Sequence, residues 1–597
     1  MKLQVNSFRL RGIGFDDNSG FSVASAGDVN GDGFADLIIG APDGDPNGHS
    51  SAGESYVVFG KASGFAHLDL SRLNGSNGFR LDGVDPGDHS GISVASAGDV
   101  NGDGFADLII GAPDGDSNGD SSAGESYVVF GKASGFAHLD LSRLNGSNGF
   151  RLDGVDPGDR SGISVASAGD FNGDGFADLI IGAADGDSNG NSRAGESYVV
   201  FGKADWSGTA ALDLSALTGS TGLTPGFRLD GIDIFDHSGV SVASAGDVNG
   251  DGFTDLIIGA PFATANGDSS AGESYVVFGA ASGLTPTFDL STLNGSNGFR
   301  LDGVDPGDRS SISVASAGDV NGDGFADIII GAMLADPGAD NAGESYVVFG
   351  KASGFAASLD LSTLDNDNGF RLDGIGLGDW SGHSVASAGD VNGDGFADLI
   401  IGAPNAAGNV GESYVVFGLK PDAAVNRTGT NADQTLAGGD FGDTLSGLAG
   451  KDTLWGNGGN DSLDGGAGDD ILKGGTGKDT LTGGSGDDTF DFNYRMESAN
   501  AASRDVITDF AVGDGLVGGS DDDLIDLKTI DANSIKAGNQ AFKFIGAQKF
   551  HHKAGELHVL HKVGFFMVEG DVNGDGRADF QIEVHSAAAL VKDDFAL

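Results

Sequence analysis

The string GDVNGDGFADLIIGAP begins at Gly27 and returns, with small changes, from Gly98, Gly169, Gly246, Gly318 and Gly389, at spacings of 71, 71, 77, 72 and 71 residues. Repetition at this length constrains the fold more than any single residue, because each unit must bury its apolar face against its neighbours. Every unit also holds GESYVVFG, first at Gly53, and an FRLDG-like stretch, FRLRG from Phe8 and FRLDG from Phe79. Short runs of small, β-branched and aromatic residues bounded by Gly, Asp and Asn read as strands. The unit is therefore four strands: 22–26, 36–41, 55–59 and the next FRLDG. An all-β propeller is expected, since radial packing covers both faces of each small sheet. A solenoid would need distinct capping units, and the sequence shows none.

There are six copies of each strand, so six blades are expected over residues 1–420. The sixth unit ends at Phe417–Gly418 with no FRLDG behind it, while residues 8–12 precede the first unit. The expectation is that the amino-terminal strand completes blade six and closes the ring. With Gly20–Phe21 before SVASAGDVNGDG and LIIGAP ending at Pro42, the unit resembles the FG-GAP repeat of the integrin alpha-subunit propeller. That resemblance covers residues 1–420 and departs in number, since integrin-type propellers have seven blades, and a seven-bladed ring is the alternative it implies.

In D-V-N-G-D-G-F-A-D from Asp28, side-chain oxygens fall at loop positions 1, 3, 5 and 9, from Asp28, Asn30, Asp32 and Asp36, with the Phe34 carbonyl at position 7. Carboxylates spaced so closely repel unless a hard cation sits between them, and all-oxygen ligation suits Ca²⁺. The same set recurs as Asp99, Asn101, Asp103, Phe105 and Asp107; as Asp170, Asn172, Asp174, Phe176 and Asp178; and as Asp247, Asn249, Asp251, Phe253 and Asp255. The last two are Asp319, Asn321, Asp323, Phe325 and Asp327, then Asp390, Asn392, Asp394, Phe396 and Asp398. The pattern is similar to an EF-hand loop up to position 9 but lacks its Glu at 12 and its helices. By the integrin resemblance, calcium sits on the face away from the ligand.

The opposite face carries loops that vary, from Asp43, Asp114, Asp185, Phe262, Met333 and Asn405. Variable loops on a rigid frame are where binding concentrates, so a basic or cation-bridged partner is expected near Phe262 and Met333–Leu334. Asp114, Asp116, Asn118 and Asp120 are a weaker candidate cation set.

From Gly438 the period becomes nine: GGDFGDTLS, GLAGKDTLW, GNGGNDSLD, GGAGDDILK, GGTGKDTLT, GGSGDDTFD. This is the GGxGxDxUx repeat of a parallel β-roll, expected over 421–491. Leu445, Leu454, Leu463, Leu472, Leu481 and Phe490 point inward, and Asp443, Asp452, Asp461, Asp470, Asp479 and Asp488 bind calcium at the turns. The repeat resembles RTX proteins exported by the type I pathway. Beyond it, DTFDF from Asp488, RDVITDFAVGDG from Arg504, DLIDL from Asp523 and the ending VKDDFAL resemble the carboxyl-terminal domain of serralysin metalloproteases. The resemblance implies an uncleaved export signal in a domain over 492–597, and secretion machinery as a partner. A further calcium-like loop in the tail holds Asp571, Asn573, Asp575, Arg577 (by its carbonyl) and Asp579.

Asp+Glu 88 against Lys+Arg 32 gives a formal charge of -56, which disfavours nucleic acid and anionic membranes and favours divalent cations. Cys 0 excludes disulfides and thiolate sites, no apolar run suits a membrane helix, and the amino terminus lacks a classical signal. No HExxH or other catalytic constellation occurs. His551, His552, His558 and His561 read as ordinary surface or turn histidines, and His383 beside Ser384 as blade packing. The repeated Glu54, Glu125, Glu196, Glu273, Glu344 and Glu412 read as acceptors of backbone hydrogen bonds between strands. The chain reads as a secreted, non-enzymatic calcium-binding adhesion or ligand-binding module. A self-assembling surface coat and a hydrolase with its site on the variable propeller face are the alternatives.

Overall fold

The computed structural model describes residues 8–63, 67–218, 225–499, 503–512, 521–536 and 538–597. Blade one is an antiparallel sheet of Val23–Gly27, Asp36–Ala41, Glu54–Val58 and Gly78–Asp82, with Leu139–Asp140 added in parallel outside the fourth strand. Blades two to four repeat this five-stranded order, and blade five has four strands, Ser310–Gly318, Asp327–Ala332, Glu344–Val348 and Gly369–Asp373. Blade six has three: Ser384–Gly389, Asp398–Ala403 and Glu412–Val416. The protein is thus almost all β, with a six-bladed propeller at its amino-terminal side.

The alternating apolar residues of blades two to five face two neighbouring blades. Between blades two and three, Ile109, Val128 and Phe150 pack against Leu179, Ile181 and Tyr198, all buried. The DLIIGA strand carries glycine at its next-to-last position because the next blade leaves no room there for a side chain. A Cβ on Gly111 would lie 2.0 Å from the Gly162 carbonyl oxygen.

The repeated glutamates have a different partner from the one expected. Tyr127 donates its hydroxyl proton to Glu125, and Arg151 on the neighbouring strand pairs with Glu125 at 3.3 Å and with Asp153 at 2.5 Å. Register explains this, because Arg151 lies opposite Tyr127 and Asp153 opposite Glu125. Side chains, rather than backbone amides, satisfy the carboxylate.

Ring closure by residues 8–12 is not found among the described residues. Leu10–Arg11 pairs in parallel with Leu68–Asp69, as each fourth strand does with the strand that follows it, and its other edge has no ladder. Inner strands pack side by side from blade one to blade six, but no comparable packing joins six back to one. In consequence Val23 is 67% exposed and Val391 61% exposed, where their equivalents Val94 and Val100 are buried.

The roll is two parallel sheets whose turns enclose a stack of Leu436, Leu445, Leu454, Leu463, Leu472, Leu481 and Phe490, all fully buried. Val506–Ile507 and Phe580–Val584 extend one sheet, and Leu524–Asp526 and Phe595–Ala596 the other, so roll and tail share one core. The roll meets the face of the propeller that carries the DVNGDG loops: Arg427 donates to the carbonyls of Gly322, Asn321 and Ala437, and Asn457 to that of Asp394. No helix among the described residues is long and apolar enough to cross a membrane.

Candidate metal centres

Each propeller loop sits at a bulge between the first two strands of its blade, where the register shifts, as between Ser96 and Gly98. In blade two, Asp99 accepts from the amides of Gly102 at 2.7 Å, Asp103 at 3.1 Å and Gly104 at 2.8 Å. Asp103 accepts from Phe105 at 3.1 Å, and Asp107 from Val100 at 3.0 Å and Gly131 at 2.8 Å. Positive φ at Gly102 and Gly104 lets the chain curl tightly enough to aim these amides inward.

The last aspartate of the loop is buried. Burial, reinforced by the loop's own carboxylates, pushes Asp36 up to about 6, Asp107 to about 8, Asp178 to about 7 and Asp255 to about 8, and Asp327 well above the ordinary range. A buried acid crowded by acids is the electrostatic setting a divalent cation relieves. Among the described residues no three His, Cys, Asp or Glu side chains converge on one point as they stand, because the loop carboxylates turn onto amides. The Asn101 side-chain oxygen likewise turns onto the loop, accepting from the Asp103 amide at 2.9 Å.

The roll makes a stronger case. Asp443, Asp461 and Asp479 stack on one side, each amide donating to the next carboxylate at 2.7 and 2.9 Å, and Asp479 continues to Asp505 at 2.8 Å. On the other side Asp452, Asp470 and Asp488 do the same at 2.8 and 2.9 Å, and Asp488 continues to Asp523 at 3.1 Å. The second oxygens of Asp452, Asp461, Asp470, Asp479, Asp488 and Asp505 are buried with no hydrogen-bond partner. Orphaned carboxylate oxygens at regular steps fit calcium, which takes several oxygen ligands. Burial raises these acids, Asp461 to about 8 and Asp505 to about 9.

Asp505 and Asp523 were missed by the nonapeptide reading. They lie in RDVITDF and DLIDL, which keep the D-x-U half of the repeat without its glycines, with Ile507 and Ile525 as the inward residues.

In the tail loop Asp571 accepts from Gly574 at 2.6 Å and Gly576 at 2.8 Å, and Asp579 from Val572 at 2.8 Å, the arrangement of the propeller loops. The histidines go separate ways: His551 pairs with Glu556 at 3.0 Å and buried His558 with Glu569 at 2.6 Å. His383 is exposed, with its ring parallel to Trp380, rather than packed within a blade. On the variable face Asp114 is held by His89 and Arg160, and Asn118 donates to Asp213, so the weaker cation set does not converge. Phe262 lies under the Arg309 guanidinium at 4.8 Å and beside His237.

These features define a β-propeller joined to a calcium-binding β-roll. The FG-GAP repeat model matches residues 19–58, 90–129, 161–200, 238–277, 312–348 and 381–416, and the RTX calcium-binding nonapeptide repeat model matches 428–463, 437–472 and 464–493. The chain is an FG-GAP, integrin-alpha-like six-bladed propeller fused to an RTX calcium-binding repeat region.

Phosphatidylinositol-glycan-specific phospholipase D of Bos taurus is 34% identical over 177 residues, 30% of this chain and 19% of that protein. Integrin alpha-V of Gallus gallus is 28% identical over 269 residues, 44% of this chain and 22% of that protein. Integrin alpha pat-2 of Caenorhabditis elegans is 31% identical over 252 residues, 41% and 18%. The chain thus spans about a fifth of the length of these curated relatives.

Proposed function

We propose that the chain is an exported, calcium-stabilised adhesion module, secreted or surface-associated, whose propeller presents its variable face to an extracellular glycan or surface protein. The observation that carries this reading is the ladder of buried, unpartnered carboxylate oxygens through the roll. Such a ladder resists folding where free calcium is scarce and folds by mass action where it is abundant. Residues 492–597 take the role of export domain, with secretion machinery as the transient partner, on the serralysin-like motifs of the tail. The propeller loops at Asp28, Asp99, Asp170, Asp247, Asp319 and Asp390, with the tail loop at Asp571, take structural calcium.

The partner site is assigned to blades four and five, where Phe262 and Met333 are half-buried and set among acidic loops. The test is binding of the full chain, with calcium, to an array of glycans and matrix proteins. Replacing Phe262 and Met333 with Ser should abolish binding, while Asn30→Ala on the calcium side should keep it. Loss only in the second variant would put the site on the other face.

The phospholipase similarity favours a second reading, a hydrolase acting from the same face. Turnover of a phosphatidylinositol-glycan substrate by the purified chain would establish it over the adhesion reading.

A further inference from the structure

One residue of each unit lies in the left-handed region at the same place, where the chain enters the innermost strand. These are Asn18, His89, Arg160, His237, Arg309 and Trp380, with φ between 52° and 59°. Backbone of this kind costs a residue with a side chain about 1–2 kcal/mol and is tolerated best by Gly and Asn. The left-handed position in the loop after the second strand does hold Asn, at Asn47, Asn118, Asn189 and Asn266. At the entry position only blade one keeps Asn, and the others carry His, Arg or Trp. Strain retained under large side chains points to a role for those side chains.

They form a belt on the face opposite the DVNGDG loops. Asn18 donates to Asp43, and His89 lies between Asp43 at 3.6 Å and Asp114 at 2.9 Å. Arg160 pairs with Asp114 at 3.2 Å, and His237 with Asp185 at 3.1 Å. One carboxylate, from the loop after the second strand, thus stands between neighbouring members of the belt.

The alternation fails from blade four onward, where Phe262, Leu334 and Asn405 take the places of Asp43, Asp114 and Asp185 in the repeat. Leu334 donates its amide to the Asp308 carbonyl at 3.3 Å, as Asp185 does to that of Asp159, so it sits where the aspartate would. Arg309 lies over Phe262 at 4.8 Å and forms no ion pair or side-chain hydrogen bond among the described residues. Asp336, in the same loop as Leu334, is turned onto the Asn341 amide at 2.5 Å. On the far side of Leu334 stands Trp380, half-buried, with the exposed His383 ring parallel to it at 6.4 Å.

We propose that this gap holds the carboxylate of an acidic sugar unit, in the place that the belt gives to aspartate elsewhere. The Arg309 guanidinium pairs with the carboxylate through its planar fork, and the Trp380 ring offers a flat apolar face to the sugar. An acidic peptide would use the arginine without needing that face, and a neutral sugar would leave the arginine without an anion. The acidic loops alone suggest a basic partner, whereas Arg309 selects an acidic one. This inference rests on the glycan reading of the variable face and narrows it to glycans that carry carboxylates.

The test is calorimetric titration of the full chain in saturating calcium with trigalacturonate, sialyllactose, methyl-esterified trigalacturonate and hexaglutamate. At least one of the two acidic sugars should bind, and neither the neutral ester nor the peptide should. Arg309→Gln and Trp380→Leu should each weaken binding by about tenfold or more, and Arg309→Lys should keep part of it. Leu334→Asp, which restores the belt's own carboxylate, should abolish binding without lowering the melting temperature, while Leu334→Asn should retain it.

Binding undiminished in Arg309→Gln would mean a calcium bridge to the acidic loops and overturns the proposal. So does binding undiminished in Leu334→Asp, or hexaglutamate bound where both acidic sugars are not. If neither acidic sugar binds while a neutral glycan or a protein binds through Phe262 and Met333, this inference fails and the adhesion reading stands. A chain that binds no ligand at all overturns both.

Discussion

Gly111 and Gly402 occupy the same place in the DLIIGA strand and have different surroundings. A Cβ on Gly111 would meet the Gly162 carbonyl oxygen at 2.0 Å, while on Gly402 the nearest atoms are those of Ser384 at 3.6 Å. Overpacking of this kind costs about 1–3 kcal/mol. Gly111→Ala should lower stability in urea unfolding by that order, and Gly402→Ala should change it by less than about 0.5 kcal/mol. Equal losses at the two sites would mean that blade six is covered. The difference could not be read from the repeat, because the residues are identical and only the neighbouring blade distinguishes them. The same limit applied to the glutamates: the sequence names Glu125 and Arg151 but not the register that sets them together.

At the scale of elements, strand type and the inward residues of the roll were legible because a period of nine leaves one position for the core. What the period could not show was where the ladder ends, since Asp505 and Asp523 lie in segments without glycine turns. Asp505→Ala and Asp479→Ala should therefore both raise the calcium concentration needed to fold the roll, while exposed Asp464→Ala should leave it unchanged; calcium titrations followed by circular dichroism compare them. Protons and calcium compete for these carboxylates, and either one relieves their buried charge in the other's absence. The folded values of Asp452, Asp461, Asp479, Asp488 and Asp505 lie at about 6 to about 9, above the ordinary 3.8, mainly through burial. The folded state then binds more protons than the unfolded one, so calcium-free stability is fully present below about pH 4 and is lost as pH rises through that range. Melting in chelator should be higher at pH 5 than at pH 8, and saturating calcium should reverse the order.

The whole molecule is two β modules, the roll seated on the aspartate loops of the propeller through Arg427 and Asn457. Arg427 places its guanidinium against three carbonyls, two of them in the aspartate loop of blade five, within the field of Asp319 and Asp323. Arg427→Ala leaves those carbonyls short of a donor and should cost about 1–3 kcal/mol, read as earlier melting of the roll. If the roll melts unchanged, this contact does not bind the modules together. The propeller and roll were both legible in the sequence; their docking and the open seam were not, because neither repeats. The account rests on calcium filling the carboxylate ladder of the roll, and amide hydrogen exchange of the full chain tests it most directly. From chelator to millimolar calcium, protection should appear across residues 426–491 and extend to 505–507, 524–526 and 580–584 as one cooperative step. Equal protection of those segments with and without calcium would contradict it.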